Sequence, residues 1–321
     1  MATATFPRAR PARRASVFRR MFSADSLARA GVFLCATAIL ALTALLLWEL
    51  WRNSALARAR FGFNFLTSSN WDPVAGDFGA LPYIFGTVVT SAVGLALAIP
   101  FGVGAAIFLA ELAPAKLSDA MTFLIELLAA VPSVIFGLIG IFVLVPLLNR
   151  VVPGLKEAFG FLPIFSGPFY GVSLLSAGVV LSVMVAPYII SVSREVLLAV
   201  PRDMREAALA LGATRWETTW HVVVPYARRG IMGSVFLALA RALGETMAVT
   251  MVVGNTPQIA KSLLAPGYSI AAVIANEFAE ATTDLHRSSL TELGLVLFGL
   301  TIVLNAAARL LILATGKRAG Q

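Results

Sequence analysis

Cysteine, histidine and charged residues are scarce in this sequence of 321 residues. The chain has one cysteine, Cys35, so no intrachain disulfide is possible, and two histidines, His221 and His286, which are too few for a Cys/His metal site. Charged residues make up 13% of the chain, about half of the ~25% that is usual in soluble domains. This composition effectively excludes a soluble globular protein, and we expect no metal site.

Long hydrophobic runs are what the sequence does have. Hydrophobic residues make up 59% of it, and the mean hydropathy is +0.85. A membrane-spanning helix needs about 20 mainly apolar residues. We therefore predict an all-α integral membrane protein with six transmembrane helices, at residues 30–50, 81–110, 120–148, 171–193, 230–254 and 293–313 of a domain covering residues 30–316.

The basic residues predict the orientation of these spans. With the N-terminus inside, 17 of the 25 Lys and Arg residues lie on the inner side and seven on the outer side, as the positive-inside rule requires. Both termini are therefore predicted to be cytoplasmic, in a multi-pass plasma membrane protein. The net charge of +8, including the basic tail at residues 1–29, is expected to face lipid headgroups rather than nucleic acid.

The phosphate-binding loop of ATPases is also missing. No G-x-x-x-x-G-K-[ST] run occurs in the chain. Within the spans there is also no paired acid and base, Ser/Lys pair or metal constellation. The chain is thus expected to have no catalytic residues, to bind no cofactor and to be unable to drive transport alone. These absences fit a permease with a separate ATPase, a channel or a secondary transporter.

The predicted inner loop at residues 200–225 has strong helix signals. Pro201 suits the start of a helix and Gly212 suits its end. Thr214 and Glu217 have the spacing of a capping box, which predicts a second helix, and Pro225 is expected to end or kink that helix before the fifth span. Such a helix-turn-helix can dock in a groove of another protein, or it can lie on the lipid surface.

The residues of this loop resemble a known signature. Glu206, Ala207 and Ala208, followed by Gly212 and Pro225, resemble the EAA signature of ABC importer permeases, although Val222 and Val224 stand where the family usually has Ile and Leu. The resemblance implies that these residues form a coupling helix that fits a cleft on an ATP-binding subunit. It favours docking over the lipid-lying alternative.

Arg241 and Glu245 are charged residues inside the fifth span. Arg241 lies twelve residues after Arg229, roughly 18 Å along a helix and close to the middle of the membrane core. Charges at this depth usually face a pathway. The alternative is a self-neutralising ion pair between the two side chains at i,i+4 spacing, which would serve packing only.

Three segments carry a second resemblance. Residues 241–257, residues 132–137 (Pro-Ser-Val-Ile-Phe-Gly) and residues 86–111 resemble the fifth-helix motif, the P-S-V-[IV]-[FY]-G motif and the second helix of phosphate-specific ABC importer permeases of the PstC type. The resemblance implies the type I importer fold. It also implies that phosphate passes Arg241 and Glu245, with Ser133 and Thr246 on the same pathway.

Further partners follow from the same resemblance. It implies a second permease of the PstA type, two ATP-binding subunits that use ATP and Mg, and an external phosphate-binding protein. Residues 53–79 and 256–289 could form the docking surface for that binding protein, or they could be hydrated loops over the bundle. Pro132 and Ser133 could break the third helix beside the pathway or only kink it.

The charges predicted to lie inside the membrane bear on the cargo. Arg241 against Glu126 and Glu245 gives a net charge of −1 inside the membrane, which repels an anion unless a carboxyl is protonated, Glu126 lies near the interface, or a partner adds cations. A carboxylate such as Glu245 can accept the O–H of hydrogen phosphate, which sulfate lacks. An importer of another oxyanion such as sulfate or molybdate, or a secondary anion transporter, remains the alternative.

Overall fold

The computed structural model describes residues 24–318, and these residues are mostly helical. Within them, six helices are long and apolar enough to cross a membrane: Ala28–Asn53, Leu81–Leu112, Ser133–Phe159, Leu174–Leu198, Arg215–Leu243 and Asp284–Leu310. The predicted all-α architecture with six spans is therefore confirmed. By internal contacts the chain divides into two compact units, residues 1–52 and 53–321.

The first unit contributes one long helix to the described residues. Helix α1 covers Ala24–Asn53 and includes the predicted span at 30–50. Its apolar side chains are exposed, with Val32, Phe33 and Leu40 each at least 70% accessible. Large exposed apolar side chains suit lipid surroundings. Of the predicted basic tail, residues 1–23 lie outside the described residues.

The second unit begins with short elements before its spans. Helices α2 (Ala55–Phe61) and α3 (Asn64–Thr67) precede a small antiparallel hairpin of β1 (Trp71–Asp72) and β2 (Asp77–Phe78), in which Trp71 pairs with Phe78. The later helices are α4 (Leu81–Ile107), α5 (Ala115–Ala129), α6 (Ser133–Ile139), α7 (Val145–Phe159), α8 (Leu174–Leu198), α9 (Arg202–Ala210), α10 (Arg215–Thr218), α11 (Val224–Leu243), α12 (Met247–Val253), α13 (Ile270–Glu277) and α14 (Asp284–Arg318).

The third hydrophobic run is two helices rather than the single span expected at residues 120–148. Helix α5 ends at Ala129 and α6 begins at Ser133, with Pro132 in an extended conformation between them. Proline has no N–H to donate and disfavours helical geometry in the residue before it, so the helix ends there. Of the two alternatives at Pro132, the structure has the break. The helix long enough to cross the membrane is Ser133–Phe159.

The fifth run also differs from a single helix over residues 230–254. It begins at Arg215 in the loop and continues through Pro225 to Leu243, with a π turn at Thr219–Val223. Pro225 therefore does not end the helix, because the wider turn immediately before it changes the hydrogen-bond register that proline would otherwise disrupt. Helix α12 starts after a gap at residues 244–246.

Helix α8 is the most buried span, with 61% of its apolar window inside the structure. It packs along α4 through glycines on both helices. A Cβ placed on Gly102 would lie 2.9 Å from Ile189 Cγ2, and one on Gly178 would overlap Val93. Small residues allow helix backbones to approach closely where lipid provides no hydrophobic driving force. The broken third and fifth runs pack against this α4–α8 pair.

Candidate functional site

Two short helices that follow the breaks pack side by side. Gly137 of α6 faces Ala248 and Met251 of α12, and three residues further along, Gly140 faces Val252. The two helices therefore run parallel, and both begin at the same end of the pair. We refer to α6 and α12 as the half-helix pair. Broken helices of this kind are tolerated inside a membrane protein where they are buried or line a cavity.

Arg241 lies in the last turn of α11, directly before one of these breaks. Its guanidinium carbon is 4.6 Å from the centre of the Tyr188 ring, close enough for a cation–π interaction. The Tyr188 hydroxyl donates a hydrogen bond of 3.2 Å to the Ala129 carbonyl at the end of α5, next to the other break. The Nε atom of Arg241 is buried and has no hydrogen-bond partner within residues 24–318, which the structure describes.

Glu245 lies in the gap between α11 and α12, with 9% of its surface exposed. Its Oε1 accepts a hydrogen bond of 3.2 Å from the backbone N–H of Ala248, so it caps the start of α12. Among the described residues, the ion pairs do not include Arg241 or Glu245. The i,i+4 pair considered from the sequence is not formed, because the helix ends at Leu243 and the spacing loses its helical geometry.

Ser133 and Thr246 lie where the two half-helices begin. Ser133 is the first residue of α6, and Thr246 immediately precedes Met247, the first residue of α12. Both side chains are half-buried. Because the half-helix pair is parallel, these positions share one end of it, and the breaks bring them into the same region as Arg241 and Glu245.

The loop at residues 200–225 forms the two helices expected of it. Helix α9 ends before Gly212, whose φ of +87° is the left-handed conformation predicted for a helix end. Thr214 and Glu217 form the predicted capping box at the start of α10. In α9, Glu206 and Ala207 are exposed and Ala208 is half-buried. Leu211 is 90% exposed and Trp216 55%, so this loop presents apolar surface.

The structure singles out three residues that are not among the predicted site residues. Tyr188 follows Pro187 inside a span, where the sequence favours an interhelical hydrogen bond or an interface position over a substrate ligand. Arg205 directly precedes the EAA residues, and Glu111 is the first charge after the second hydrophobic run. In the structure, Arg205 and Glu111 form an ion pair with a 2.8 Å contact between Nη2 and Oε1.

Comparison with known proteins gives the family. Residues 98–317 match the model of the binding-protein-dependent transport system inner membrane component family. The chain is 45% identical over 98% of its length to the phosphate transport system permease protein PstC of Mesorhizobium japonicum, and the match covers 97% of that protein. It is 47% identical to the PstC protein of Pasteurella multocida, over 81% of this chain and 83% of the other.

A solved structure has the same fold at much lower identity. A chain of the MetNI methionine ABC transporter, in an inward-facing conformation, superimposes with a TM-score of 0.53 at 17% identity, over 72% of this chain and 94% of the other. This similarity supports the type I importer architecture and nothing about cargo. With its six spans and its matches over most of its length, the chain belongs to the binding-protein-dependent transport system inner membrane components, as a multi-pass permease related to the PstC proteins.

Proposed function

We propose that this chain is the permease subunit of an ATP-driven importer that moves inorganic phosphate across the plasma membrane. The names of the relatives support this cargo. The observation in the structure that carries the proposal is Arg241, a charged residue directly before a helix break whose Nε has no hydrogen-bond partner among the described residues. An anion passing this point would supply the missing acceptor.

The energetic cost of Arg241 supports a pathway role. Placing an arginine near the centre of a membrane helix costs about 2.5–3.5 kcal/mol on insertion scales. Glu245 does not offset this cost, because its carboxylate caps α12 instead of pairing with Arg241. The Tyr188 ring compensates only in part. A structural role alone gives little reason to keep the charge.

The other predicted pathway residues fit an oxyanion with a proton to donate. Ser133 and Thr246 carry hydroxyl groups at the breaks, which can donate to phosphate oxygens. Glu245 can accept the O–H of hydrogen phosphate through the carboxylate oxygen that does not cap α12. Glu245 then favours hydrogen phosphate over an anion without an O–H group. Its negative charge also repels anions, so the second permease must contribute further cations to the shared pathway.

The remaining subunits complete the proposed machine. A PstA-type permease pairs with this chain, two ATPase subunits bind ATP and Mg, and an external phosphate-binding protein delivers the cargo. The chain itself holds no ATPase site and no cofactor. Both termini and the loop at 200–225 lie on the cytoplasmic side of the membrane, near the lipid headgroups. The ATPase-coupling segment in this loop includes Glu206, Ala207, Ala208, Gly212 and Pro225.

Uptake by the reconstituted complex tests this proposal. We expect the wild type to accumulate phosphate in an ATP-dependent manner and Arg241→Gln to lose at least about tenfold of that uptake while the subunits still copurify. Arg229→Gln is the matched control, since Arg229 is an exposed arginine of the same helix. Unchanged uptake in Arg241→Gln would remove Arg241 from the pathway. A wild type that carries sulfate or molybdate and no phosphate would favour another oxyanion.

Glu245→Gln tests the selectivity argument separately. Glutamine retains an oxygen that can cap Ala248, so the start of α12 should be preserved. We expect phosphate uptake to fall while sulfate uptake stays equal or rises. Equal loss for both anions would show that the carboxylate does not distinguish them.

A further inference from the structure

One guanidinium group joins three helical segments at one end of the bundle. Arg205 of α9 donates from Nε and Nη2 to the two carboxylate oxygens of Glu111, over 3.2 Å and 2.8 Å. Its Nη2 also donates to the Leu197 carbonyl over 2.7 Å, and its Nη1 donates to the Val200 carbonyl. The side chains of Arg205 and Glu111 are 20% and 10% exposed, so the contact is mostly shielded from water.

Each of these acceptors belongs to a helix end. Glu111 lies in the π turn at Phe108–Leu112 that closes α4. The carbonyls of Leu197 and Val200 lie in and just after the last turn of α8, where regular helical partners end and the Leu197 carbonyl also accepts the Val200 N–H over 3.2 Å. A side-on pair with a carboxylate plus two carbonyl contacts uses the planar fork of arginine, which the single ammonium of lysine cannot reproduce.

Apart from the three-residue connection to α8 and its packing against residues 215–223 at the start of the fifth run, helix α9 has few attachments. None of its nine residues is buried. The apolar cluster that joins the ends of α4 and α8 to the start of the fifth span does not include residues of α9; its members include Ala106, Ile107, Leu197, Val200 and Val223. Arg205 is thus the side chain through which α9 is bonded to the two most closely packed spans.

We propose that Arg205 is a positioning residue that transmits displacement of α9 to the ends of α4 and α8. The inference deepens the proposed function, because α9 carries the residues assigned to ATPase docking. When a bound ATPase moves α9, the bonds to Glu111, Leu197 and Val200 move both helix ends with it. The fifth span continues directly from α10 and needs no such bond.

The test compares four variants in the reconstituted complex. Arg205→Ala removes all the contacts, Glu111→Gln removes the charge of the pair and keeps its shape, and Arg205→Lys keeps the charge and loses the fork. Arg202→Ala is the matched control, since Arg202 is an exposed arginine on the same helix. The measurements are copurification of the subunits, ATP hydrolysis, and phosphate transported per ATP hydrolysed.

We expect Arg205→Ala to assemble and hydrolyse ATP while its transport per ATP falls about tenfold or more. Glu111→Gln should show a smaller fall, Arg205→Lys should not restore the wild-type ratio, and Arg202→Ala should match the wild type. A purely structural residue would lower assembly, hydrolysis and transport together and leave the ratio unchanged.

Three results would overturn the inference. They are an unchanged ratio in Arg205→Ala, full recovery in Arg205→Lys, and loss of assembly in both Arg205→Ala and Glu111→Gln. The last result would mean that the contact builds the protein rather than transmitting movement. If the wild type takes up no phosphate, the proposed function is contradicted. The inference about Arg205 then fails as well, because it rests on that function.

Discussion

At the scale of single residues, Tyr188 connects the two helix breaks through different parts of one side chain. Its ring lies against the Arg241 guanidinium, before the break in the fifth run. Its hydroxyl bonds to the Ala129 carbonyl, before the break in the third run. The ring fixes where the charge of Arg241 lies, and the hydroxyl fixes the ring.

Two substitutions at Tyr188 separate these contacts. Tyr188→Phe retains the ring and loses a hydrogen bond that is worth about 1 kcal/mol, so we expect the KM for phosphate to change less than about fivefold. Tyr188→Leu also removes a cation–π contact worth about 0.5–2 kcal/mol, and we expect a larger rise in KM. The measurement is the KM of ATP-dependent uptake. Equal effects of both substitutions would contradict a role for the ring.

The sequence could predict the charged members of the candidate site because charges are rare in hydrophobic runs. Arg241 and Glu245 stood out for that reason, and the resemblance added Ser133 and Thr246. Whether Arg241 paired with Glu245 could not be decided, since it depends on where the helix ends. The hydrogen bond between Tyr188 and Ala129 and the ion pair between Arg205 and Glu111 join residues more than 50 positions apart, which no local pattern encodes.

At the scale of elements, the hydrophobic runs predicted the number of spans and missed their interruptions. A run of apolar residues has the same hydrophobic pattern whether the helix within it is continuous or broken. Pro132 marked one break, which was weighed against a kink. The break after Leu243 had only Gly244 as its local signal, and Pro225, the stronger signal, is accommodated by a π turn.

The half-helix pair depends on the small size of Gly137. A Cβ at this position would overlap the Met251 sulfur and lie 3.3 Å from Ala248 Cα. We expect Gly137→Ala to destabilise the assembled complex by about 1–3 kcal/mol through overpacking and to lower phosphate uptake. The measurement is the thermal midpoint of the purified complex together with its uptake rate.

A second substitution tests the cause. Met251→Ala removes the overlapping side chain, so adding it to Gly137→Ala should restore part of the lost stability, a coupling that a double-mutant cycle measures. Gly104→Ala is the control, because a Cβ on Gly104 meets nothing within 4 Å. Additive losses in the double variant would show that the two helices do not press on each other at this point.

At the scale of the whole molecule, the number of spans and the basic residues together predict which loops share a side of the membrane. The hairpin at residues 71–78 lies after one span and the loop at 200–225 after four, so the two must face opposite sides if every candidate helix crosses. The distribution of Lys and Arg predicts that the hairpin lies outside and the loop inside. The contacts among the described residues do not determine that direction, because it is set during insertion into the membrane.

The single cysteine makes this orientation directly measurable. In a Cys35→Ser background, one cysteine is introduced either by Val74→Cys, at a hairpin position that is 97% exposed, or by Leu211→Cys, at a loop position that is 90% exposed. We expect a membrane-impermeant thiol reagent to label Val74→Cys in intact cells, or in spheroplasts where an outer membrane is present. The same reagent should label Leu211→Cys only after permeabilisation.

The Cys35→Ser parent should stay unlabelled in both conditions, and phosphate uptake checks that each variant is assembled. The reverse labelling pattern would invert the orientation and place Leu211, with the EAA residues, on the side away from any ATPase. Labelling of both positions in intact cells would mean that one of the candidate helices between them does not cross the membrane.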